Sequence, residues 1–438
     1  MSDRRAFLRA VSRASLGAGL GLSWPSLARA QRGPASNRVR LALLGCGARG
    51  IELGRLAQGL PGVEIAGAAD LYDGRLARAK ELFGEAVVAV RDARRLIESA
   101  EIDAVVVATP DHWHAAQVRA ALAAGKDVYC ESPLTHAQPE AAALRQAAQA
   151  AGRVVQVGGG AAHATLLAAA RELIAGGRLG RVTLVSGVSE SAGALRAWQA
   201  PFPPDASPET VGFDVFLGSA PRAEFDLARF FRWRRYWEYG CGLAGERFVP
   251  QLTLLQALLG LGAPERASAS GAVRLWQDGR EVPDTFVALL DYPRGPSVVL
   301  SATQCGGRRE ELRITGSEAT LVLRPGELEL LPEPLSEPYP LVGESWAREY
   351  RHWFYMMHGL GPSGQPRGTP PAEPAGERWQ VAAGPAVEAA HLSDFVAAVR
   401  SRGRTREDLE QGLRAAGGAH LANAAWRAAR ATKREEAA

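Results

Sequence analysis

Cysteine is scarce in this chain: Cys46, Cys130, Cys241 and Cys305 are the only four, with no C-x-x-C and no histidine at metal-ligand spacing. Neither a zinc centre nor a disulfide framework is signalled, so no metal is expected, and the four read as small core or cleft residues. In an oxidising compartment one pair could close, and three connectivities stay open. Charge of one sign is missing as well. The formal net charge is +4, but residues 1–30 carry Arg4, Arg5, Arg9, Arg13 and Arg29 against Asp3, and the remainder balances at 46 basic and 46 acidic residues. No nucleic-acid footprint survives that subtraction. The N-terminal apolar stretch Ala14 to Leu22 is too short to span a membrane.

That N-terminus reads as a targeting segment rather than fold. Asp3-Arg4-Arg5-Ala6-Phe7-Leu8 is a twin-arginine pattern, and Ala28-Arg29-Ala30 offers a small-residue cleavage site before Gln31. Residues 1–30 are therefore expected to engage the twin-arginine translocon and to be removed. That would leave a protein without a membrane anchor in the periplasm or otherwise exported. This route resembles the one used by proteins that fold, often around a cofactor, before crossing.

The 438 residues exceed one ordinary domain, and 47% hydrophobic with 22% charged residues suits a soluble globular protein. The strongest local signal is Val39 to Gly50, VRLALLGCGARG. A nearly continuous apolar run, as in a parallel strand buried on both faces, leads directly into Gly45-Cys46-Gly47-Ala48-Arg49-Gly50. This G-x-G-x-x-G sits between a strand and the helix expected over 51–60, and the following strand, 63–69, ends in Asp70. In such a turn the glycines permit close backbone approach to a pyrophosphate, the helix N-terminus offers free N–H donors, and the acid takes a ribose hydroxyl. NAD or NADP is the expected cofactor. Asp70 favours NAD because a carboxylate repels a 2′-phosphate, while Arg75 nearby keeps NADP open.

From Val39 to Val157 strands (63–69, 86–90, 103–108, 127–130 and 154–157) alternate with helices such as 76–83 and 115–124, which predicts a doubly wound parallel sheet over 37–158. An α+β domain with a largely antiparallel open sheet is expected over 159–386, with 324–386 an irregular Pro- and Gly-rich insertion. Within that insertion one apolar island, Trp353 to Met357, would dock on the body. Helices over 387–432 then pack back, the second opening at Thr405 and Asp408 in the manner of a capping box. The aromatic- and Pro-rich connection 189–248 is long enough to be functional.

The strings ATPDHWHA (Ala108 to Ala115), KDVYCESPLTH (Lys126 to His136), VVQVGGG (Val154 to Gly160), FDVFLGSAP (Phe213 to Pro221), RWRRYWEYGCG (Arg232 to Gly242), ITGSEATL (Ile314 to Leu321) and HLSDFVAAVRSR (His391 to Arg402) resemble the glucose-fructose oxidoreductase, inositol dehydrogenase and rhizopine catabolism (Gfo/Idh/MocA) family. The resemblance implies a Rossmann domain, a substrate domain whose open sheet supports homo-oligomers, and NAD(P)-linked redox chemistry on sugars, cyclitols and related polyols. It also implies that Thr109, Pro110, His112, His114, Glu131, Ser132 and Pro133 border the cofactor. His112 and His114 lack a third ligand and do not signal a metal.

Members of the family place a lysine in an E-K-P turn, and an aspartate and a histidine four residues apart in a later Gly-rich stretch. Here the turn reads Glu131-Ser132-Pro133, and the later positions align with Glu246 and Pro250. Glu246 is the best surviving acid-base group, although it could equally pair with Arg247 or Arg234; Tyr239 and His163 are the other candidates. Trp233 and Tyr236 could stack on a sugar face with Arg234 and Arg235 binding its hydroxyls, or serve as ordinary packing. Two readings follow: an exported NAD(P)-dependent oxidoreductase with a rearranged acid-base set and a cofactor that is retained tightly, or an inactive relative that binds dinucleotide or a sugar-like ligand as scaffold or sensor.

Overall fold

The computed structural model describes residues 38–159, 166–192, 198–333, 343–361, 375–380, 386–429 and 432–433. The signal segment 1–30 and His163 lie outside the described residues.

The first layer runs β1 (Val39–Leu44), α1 (Ala48–Gln58), β2 (Val63–Ala69), α2 (Asp73–Phe83), β3 (Val88–Val90), α3 (Arg94–Ile97), β4 (Ala104–Val107), α4 (Asp111–Ala123), β5 (Asp127–Cys130), α5 (Glu140–Ala151) and β6 (Val155–Val157). The six strands pair in the order β3-β2-β1-β4-β5-β6, every pairing parallel. In β1 every position except Arg40 is buried, as two-sided cover of a parallel strand demands. Strand order reverses between β1 and β4, which opens the ligand crevice of a doubly wound sheet at their carboxyl ends.

Several boundaries differ from expectation, α1 among them, which runs over 48–58 rather than 51–60. β3 begins at Val88, because Gly84 at φ +107 ends α2 and the Val87 N–H closes a turn on the Gly84 carbonyl. α2 begins at Asp73 rather than Leu76, and the Asp73 carboxylate in its first turn is paired with Arg91. α4 begins at Asp111 rather than Ala115. Pro110 precedes it at φ −57°, and an acidic residue in the first turn suits the positive end of the helix.

The second layer contains α6 (Leu167–Ala175), β7 (Val182–Glu190), α7 (Phe213–Leu217), α8 (Leu227–Phe231), α9 (Val249–Leu259), β8 (Arg266–Ala272), β9 (Thr285–Asp291), β10 (Ser297–Thr303), β11 (Glu310–Gly316), β12 (Ala319–Arg324), β13 (Glu327–Pro332), α10 (Arg348–Met357) and β14 (Glu377–Gln380). The chain closes with α11 (Ala386–Ser401), α12 (Leu409–Ala428) and β15 (Thr432–Lys433). The sheet order is β14-β13-β12-β11-β7-β10-β9-β8-β15, antiparallel except for β7 with β10, which a long crossover joins in parallel. One face carries α6, α9 and α12 over a common core.

The stretch 324–386 is less irregular than its composition suggests. Glu327-Leu328-Glu329-Leu330 alternates with period two, so Leu328 and Leu330 reach the core and β13 extends the sheet, with β14 added beyond it. Of the apolar island only Phe354 and Tyr355 are buried, together with Leu360, whereas Trp353, Met356 and Met357 face outward.

The two closing helices part company. α11 lays Leu392, Phe395, Val396 and Val399 against Leu41, Leu43 and Val106 of the parallel sheet. Burial of each such side chain contributes about 1.5–3 kcal/mol. α12 packs on β8 and α9. Its cap is Asp408, which accepts the Gln411 N–H at 3.0 Å, while the Thr405 hydroxyl instead donates to the Val155 carbonyl at 3.1 Å. The expected capping box is thus a single aspartate cap, because Thr405 is spent on tying the loop to β6.

Candidate functional site

The glycines after β1 are required by close approach. Gly45 has φ +92°, and a Cβ there would meet the Ala108 carbonyl oxygen at 2.6 Å; a Cβ on Gly50 would stand 1.9 Å from the Gly45 oxygen. Above Gly47 the space is different: a Cβ there would meet nothing nearer than the Arg75 guanidinium at 3.8 Å, and would protrude into the crevice. Asp70, at the end of β2, accepts the Cys46 N–H at 2.8 Å and the Tyr72 N–H at 3.0 Å, which holds its carboxylate at the rim. This open cradle beside an anchored acid fits a dinucleotide: Gly45, Gly47 and Ala48 would hold the pyrophosphate and Asp70 the ribose.

The crevice is a cavity of about 1290 Å³. That exceeds the 300–1,000 Å³ or so of a usual small-molecule pocket and leaves room for a second ligand. Its roof comes from the connection 198–235, stitched to the parallel domain just beyond Asp70. The Gly212 N–H donates to the Leu71 carbonyl at 2.7 Å, the Asp73 N–H donates to the Thr210 carbonyl at 3.0 Å, and Tyr72 bridges Val211.

Gly45, Gly47, Ala48, Arg49 and Asp70 all line the cavity, as do Thr109, Pro110, His114, Glu131 and Ser132. Four other positions expected there do not. The Cys46 side chain is buried, Gly50 is consumed by its contact with Gly45, and the Pro133 ring packs toward Gly245. His112 turns inward among Phe216 and Tyr239, its Nε2 donating to the Phe216 carbonyl at 2.8 Å. Burial lowers its pKa to about 4, so it is neutral. Arg49 reaches the cavity already engaged, with Glu52 at 2.9 Å, Glu131 at 2.9 Å and Glu388 of α11 at 2.7 Å.

His114 ties together the two loops that flank the crevice. Its Nδ1 lies 2.8 Å from the Pro133 carbonyl and its Nε2 2.8 Å from the Thr109 carbonyl, an arrangement that requires both nitrogens to donate and hence an imidazolium. Burial opposes that charge, but the Cys130 sulfur, the Asp111 carboxylate and the Pro133 carbonyl outweigh it and raise the pKa to about 10. Because the folded pKa lies above the ordinary value near 6.5, the stabilisation is complete below about pH 6.5 and is lost as pH rises toward 10. The thermal midpoint of the protein is therefore expected to fall between pH 7 and 10, and that of His114→Gln to fall less. Parallel melting curves for the two proteins over this range would contradict the imidazolium.

The substrate and acid-base candidates divide. Trp233 and Arg234 line the cavity, with the Arg234 guanidinium 4.2 Å from the Trp233 ring centroid. Arg235 and Tyr236 do not line it. Arg235 is buried, and donates to the Trp198 and Gln199 side of the loop and to Asp278, while Tyr236 packs beneath Arg229. Tyr239 is also buried, its hydroxyl accepting from Arg229 at 3.3 Å. Their alternating polar and aromatic character gave no sign of which face the connection would turn inward. Glu246 stands directly behind Arg234, at 3.5 Å from its Nε, at 3.1 Å from Arg247, and accepting the Trp198 indole N–H.

Glu246 lies on a π-helical turn, Ala244–Phe248, that runs into α9. Pro250, at the second residue of α9, has no N–H to give, and its ring crowds the carbonyl four residues back. The wider turn relieves that crowding. Lys126 is at the far end of β5, where its ammonium donates to the Ser99 and Ile102 carbonyls, and it does not approach Ser132.

Sequence reasoning missed Asp111, Trp198, Phe230 and Phe231. Asp111 lines the cavity at the start of α4, accepts the Cys241 N–H at 2.9 Å, and has its pKa raised by burial against the pull of His114 and Arg234. Its position after Thr109-Pro110 was the available signal. Phe230 and Phe231 reach the cavity only through the fold of the connection.

Comparison with known proteins agrees with this geometry. Residues 39–159 match the profile of the oxidoreductase family with an NAD-binding Rossmann fold, and residues 216–322 match the GFO/IDH/MocA C-terminal domain. Over 97 residues the chain is 40% identical to inositol 2-dehydrogenase 1 of Saccharopolyspora erythraea, which is 22% of this chain and 29% of that protein. Inositol 2-dehydrogenase 2 of the same organism is 32% identical over 158 residues, 35% of this chain and 46% of that protein. The chain thus spans less than half the length of these curated relatives. In fold the likeness extends over about nine-tenths of the chain. A levoglucosan dehydrogenase solved with NADH and levoglucosan superposes with a TM-score of 0.64 at 19% identity, over 90% of this chain and 99% of that one. The WlbA dehydrogenase of Bordetella pertussis, solved with NADH and UDP-GlcNAcA, gives 0.62 at 19% identity, over 90% and 97%. With both family models matched in chain order, over 39–159 on the parallel sheet and 216–322 on the open sheet, the chain belongs to the Gfo/Idh/MocA oxidoreductase family.

Proposed function

We propose that the protein is an exported NAD(P)-dependent oxidoreductase acting on a sugar, cyclitol or related polyol, with an atypical acid-base set. The observation that carries this reading is a single cavity lined both by the Gly47 and Asp70 cradle and by Ser132, Trp233 and Arg234. The inositol dehydrogenases and the sugar-bound neighbours support the substrate class. When bound, the nicotinamide cofactor supplies the acceptor or donor of a hydride. The chain must do the rest: hold the carbinol, stabilise charge on its oxygen and move the hydroxyl proton. Trp233 offers a face for the sugar ring, Arg234 a positive charge for the oxygen, and Glu246 behind it a carboxylate to receive the proton. The stitches between residues 71–73 and 210–212 favour a cofactor that stays bound between turnovers.

The twin-arginine segment supports export, and the exposed Leu184, Val287 and Leu289 on the uncovered face of the open sheet support a homo-oligomer. Fractionation of producing cells and light scattering on the mature protein test these two points; a cytoplasmic monomer would refute both.

A second reading has its own observation. Glu246 is already engaged by Arg234, Arg247 and Trp198, and Ser132 and Pro250 carry no titratable group. This favours a member that binds without turnover. The deciding experiment is to identify nucleotide in the purified protein by mass spectrometry, titrate NADH, and follow nicotinamide absorbance with a polyol panel. For an enzyme, Glu246→Gln is expected to cut turnover about 10²-fold or more while NADH affinity is kept. Bound nucleotide with no turnover in either protein leaves the non-catalytic reading; no nucleotide binding refutes both.

A further inference from the structure

Six carboxylates line the cavity: Glu52, Asp70, Asp92, Asp111, Glu131 and Asp214. Five already face a cation. Glu52 and Glu131 hold Arg49, Asp92 holds Arg94, Asp70 has Arg75 at 3.6 Å, and Asp214 has Arg222 at 4.0 Å. Among the described residues Asp111 makes no such pair. Its hydrogen-bond donor is the Cys241 N–H at 2.9 Å, with the Cys241 thiol alongside.

Asp111 is the first residue of α4, 8% exposed and at the cavity wall. The segment that it holds is shared with the other candidates. A Cβ on Gly240, just before Cys241, would meet the Trp233 ring at 3.1 Å and the Arg234 Cα at 3.5 Å. A Cβ on Gly245 would lie 2.4 Å from that of Cys241 and 3.5 Å from the Pro133 ring, next to Ser132 in the chain. One turn along α4, His114 holds the Pro133 carbonyl at 2.8 Å. Asp111 is thus anchored to the segment that Trp233, Arg234 and the turn after Ser132 also touch. Burial keeps its carboxyl above the ordinary carboxylate range, against the pull of His114, Arg234, the Cys241 N–H and His136.

Glu246 does not line the cavity. It stands behind Arg234 at 3.5 Å and is engaged by Arg247 and Trp198 as well. We propose that Asp111 is the acid-base group at the cavity wall, a second catalytic carboxylate ahead of Glu246, and that it exchanges the carbinol proton directly. In the oxidative direction the C–H bond breaks with its electron pair leaving as hydride to the nicotinamide, the O–H proton passes to an Asp111 carboxylate oxygen, and the carbonyl forms. The reductive direction returns both. A carboxyl raised toward the working pH is better matched to this exchange than an ordinary one, and Arg234 offers its charge to the oxygen meanwhile. The inference rests on the oxidoreductase reading above.

The test is kinetic, with saturating nicotinamide cofactor and the polyol that gives the highest wild-type rate. Asp111→Asn keeps an oxygen for the Cys241 N–H and removes the proton site. It is expected to lower kcat about 10²- to 10⁴-fold, with KM and NADH affinity changed less than about threefold. Oxidation needs the ionised carboxylate, so wild-type kcat should rise as pH passes upward through the raised Asp111 pKa, and the variant should lack that limb. Infrared titration of cofactor-free protein reads the same group without turnover: a carboxyl band that protonates above the ordinary range should be present in wild type and absent from Asp111→Asn. Asp111→Glu keeps the carboxylate, should retain the pH limb at a rate between the two, and carries the test if the asparagine variant does not fold. An Asp111→Asn with wild-type kcat and pH limb overturns the inference, since Asp111 then only anchors Cys241, and leaves the oxidoreductase reading standing. A wild type that binds NADH but oxidises no polyol refutes that reading, and this inference falls with it.

Discussion

Replacing Ser132 by lysine is expected to raise polyol-dependent nicotinamide reduction by about 10²- to 10⁴-fold, the contribution of one positioned acid-base group. Ser132 follows β5 and lines the cavity, at the position where the family resemblance implies a lysine. A serine there is neutral, and among the described residues no base accepts a hydrogen bond from its hydroxyl; the neighbouring Glu131 carboxylate is met by the Ser132 backbone N–H at 3.3 Å. Lysine would supply both a proton donor and a cation for the carbinol oxygen without displacing buried structure, since the position lies at the cavity wall. The gain is expected toward the lower end of that range. Pro250 leaves the histidine position empty, and groups that act as one catalytic unit are not additive. Initial rates across a polyol panel, with NADH affinity measured beside them, decide the matter. An unchanged rate with intact NADH binding would show that no polyol is held productively next to Ser132.

Gly50→Ala is expected to abolish dinucleotide binding, by about 100-fold or more, and to destabilise the protein by about 3 kcal/mol, at the upper end of ordinary overpacking. The new Cβ would stand 1.9 Å from the Gly45 carbonyl oxygen, which is backbone and cannot rotate away as a side chain would. Relief requires α1 to move from the loop, and with it the N–H groups that would hold the pyrophosphate. Gly47→Ala is the informative partner. Its Cβ meets nothing within 3.8 Å, so the protein should melt as wild type does, yet that Cβ enters the cradle and should still weaken NADH strongly. If Gly47→Ala bound NADH normally, the pyrophosphate would not rest above this turn. Melting curves and NADH titrations of the two variants separate a broken loop from a filled one.

Much of the fold is legible in the sequence alone. A two-sided buried strand such as Val39–Leu44 announces itself as an unbroken apolar run, and the glycine pattern beyond it has few conformations open to it. β2 occupies the expected residues, 63–69, because both of its ends are marked, by Pro61-Gly62 before it and Asp70 after it. Boundaries slipped where a neighbouring residue overrode the apolar pattern, as Pro110 did by starting α4 four residues early. β13 was hidden by the proline and glycine around it, since alternation over six residues is a weaker signal than the breakers that flank it.

The candidate site was legible only in part, and the division has a physical cause. A Gly-rich turn and its acid lie within 26 residues of each other and act through the backbone, so local sequence determines them. That is why Gly45, Gly47 and Asp70 stand where they were expected, on the cavity wall. The other half of the site is assembled from side chains far apart in the chain, where the same residue types serve equally as packing. Only tertiary structure decided that Trp233 and Arg234 face the cavity while Arg235, Tyr236 and Tyr239 are buried, that Glu246 is held behind Arg234, and that Phe230 and Phe231 fix Arg75. By itself the sequence determined a dinucleotide cradle in a two-layer oxidoreductase fold. Which charges are spent and which remain free at the cavity depended on contacts between residues as much as 339 positions apart, as Arg49 and Glu388 are, and no local pattern encodes those.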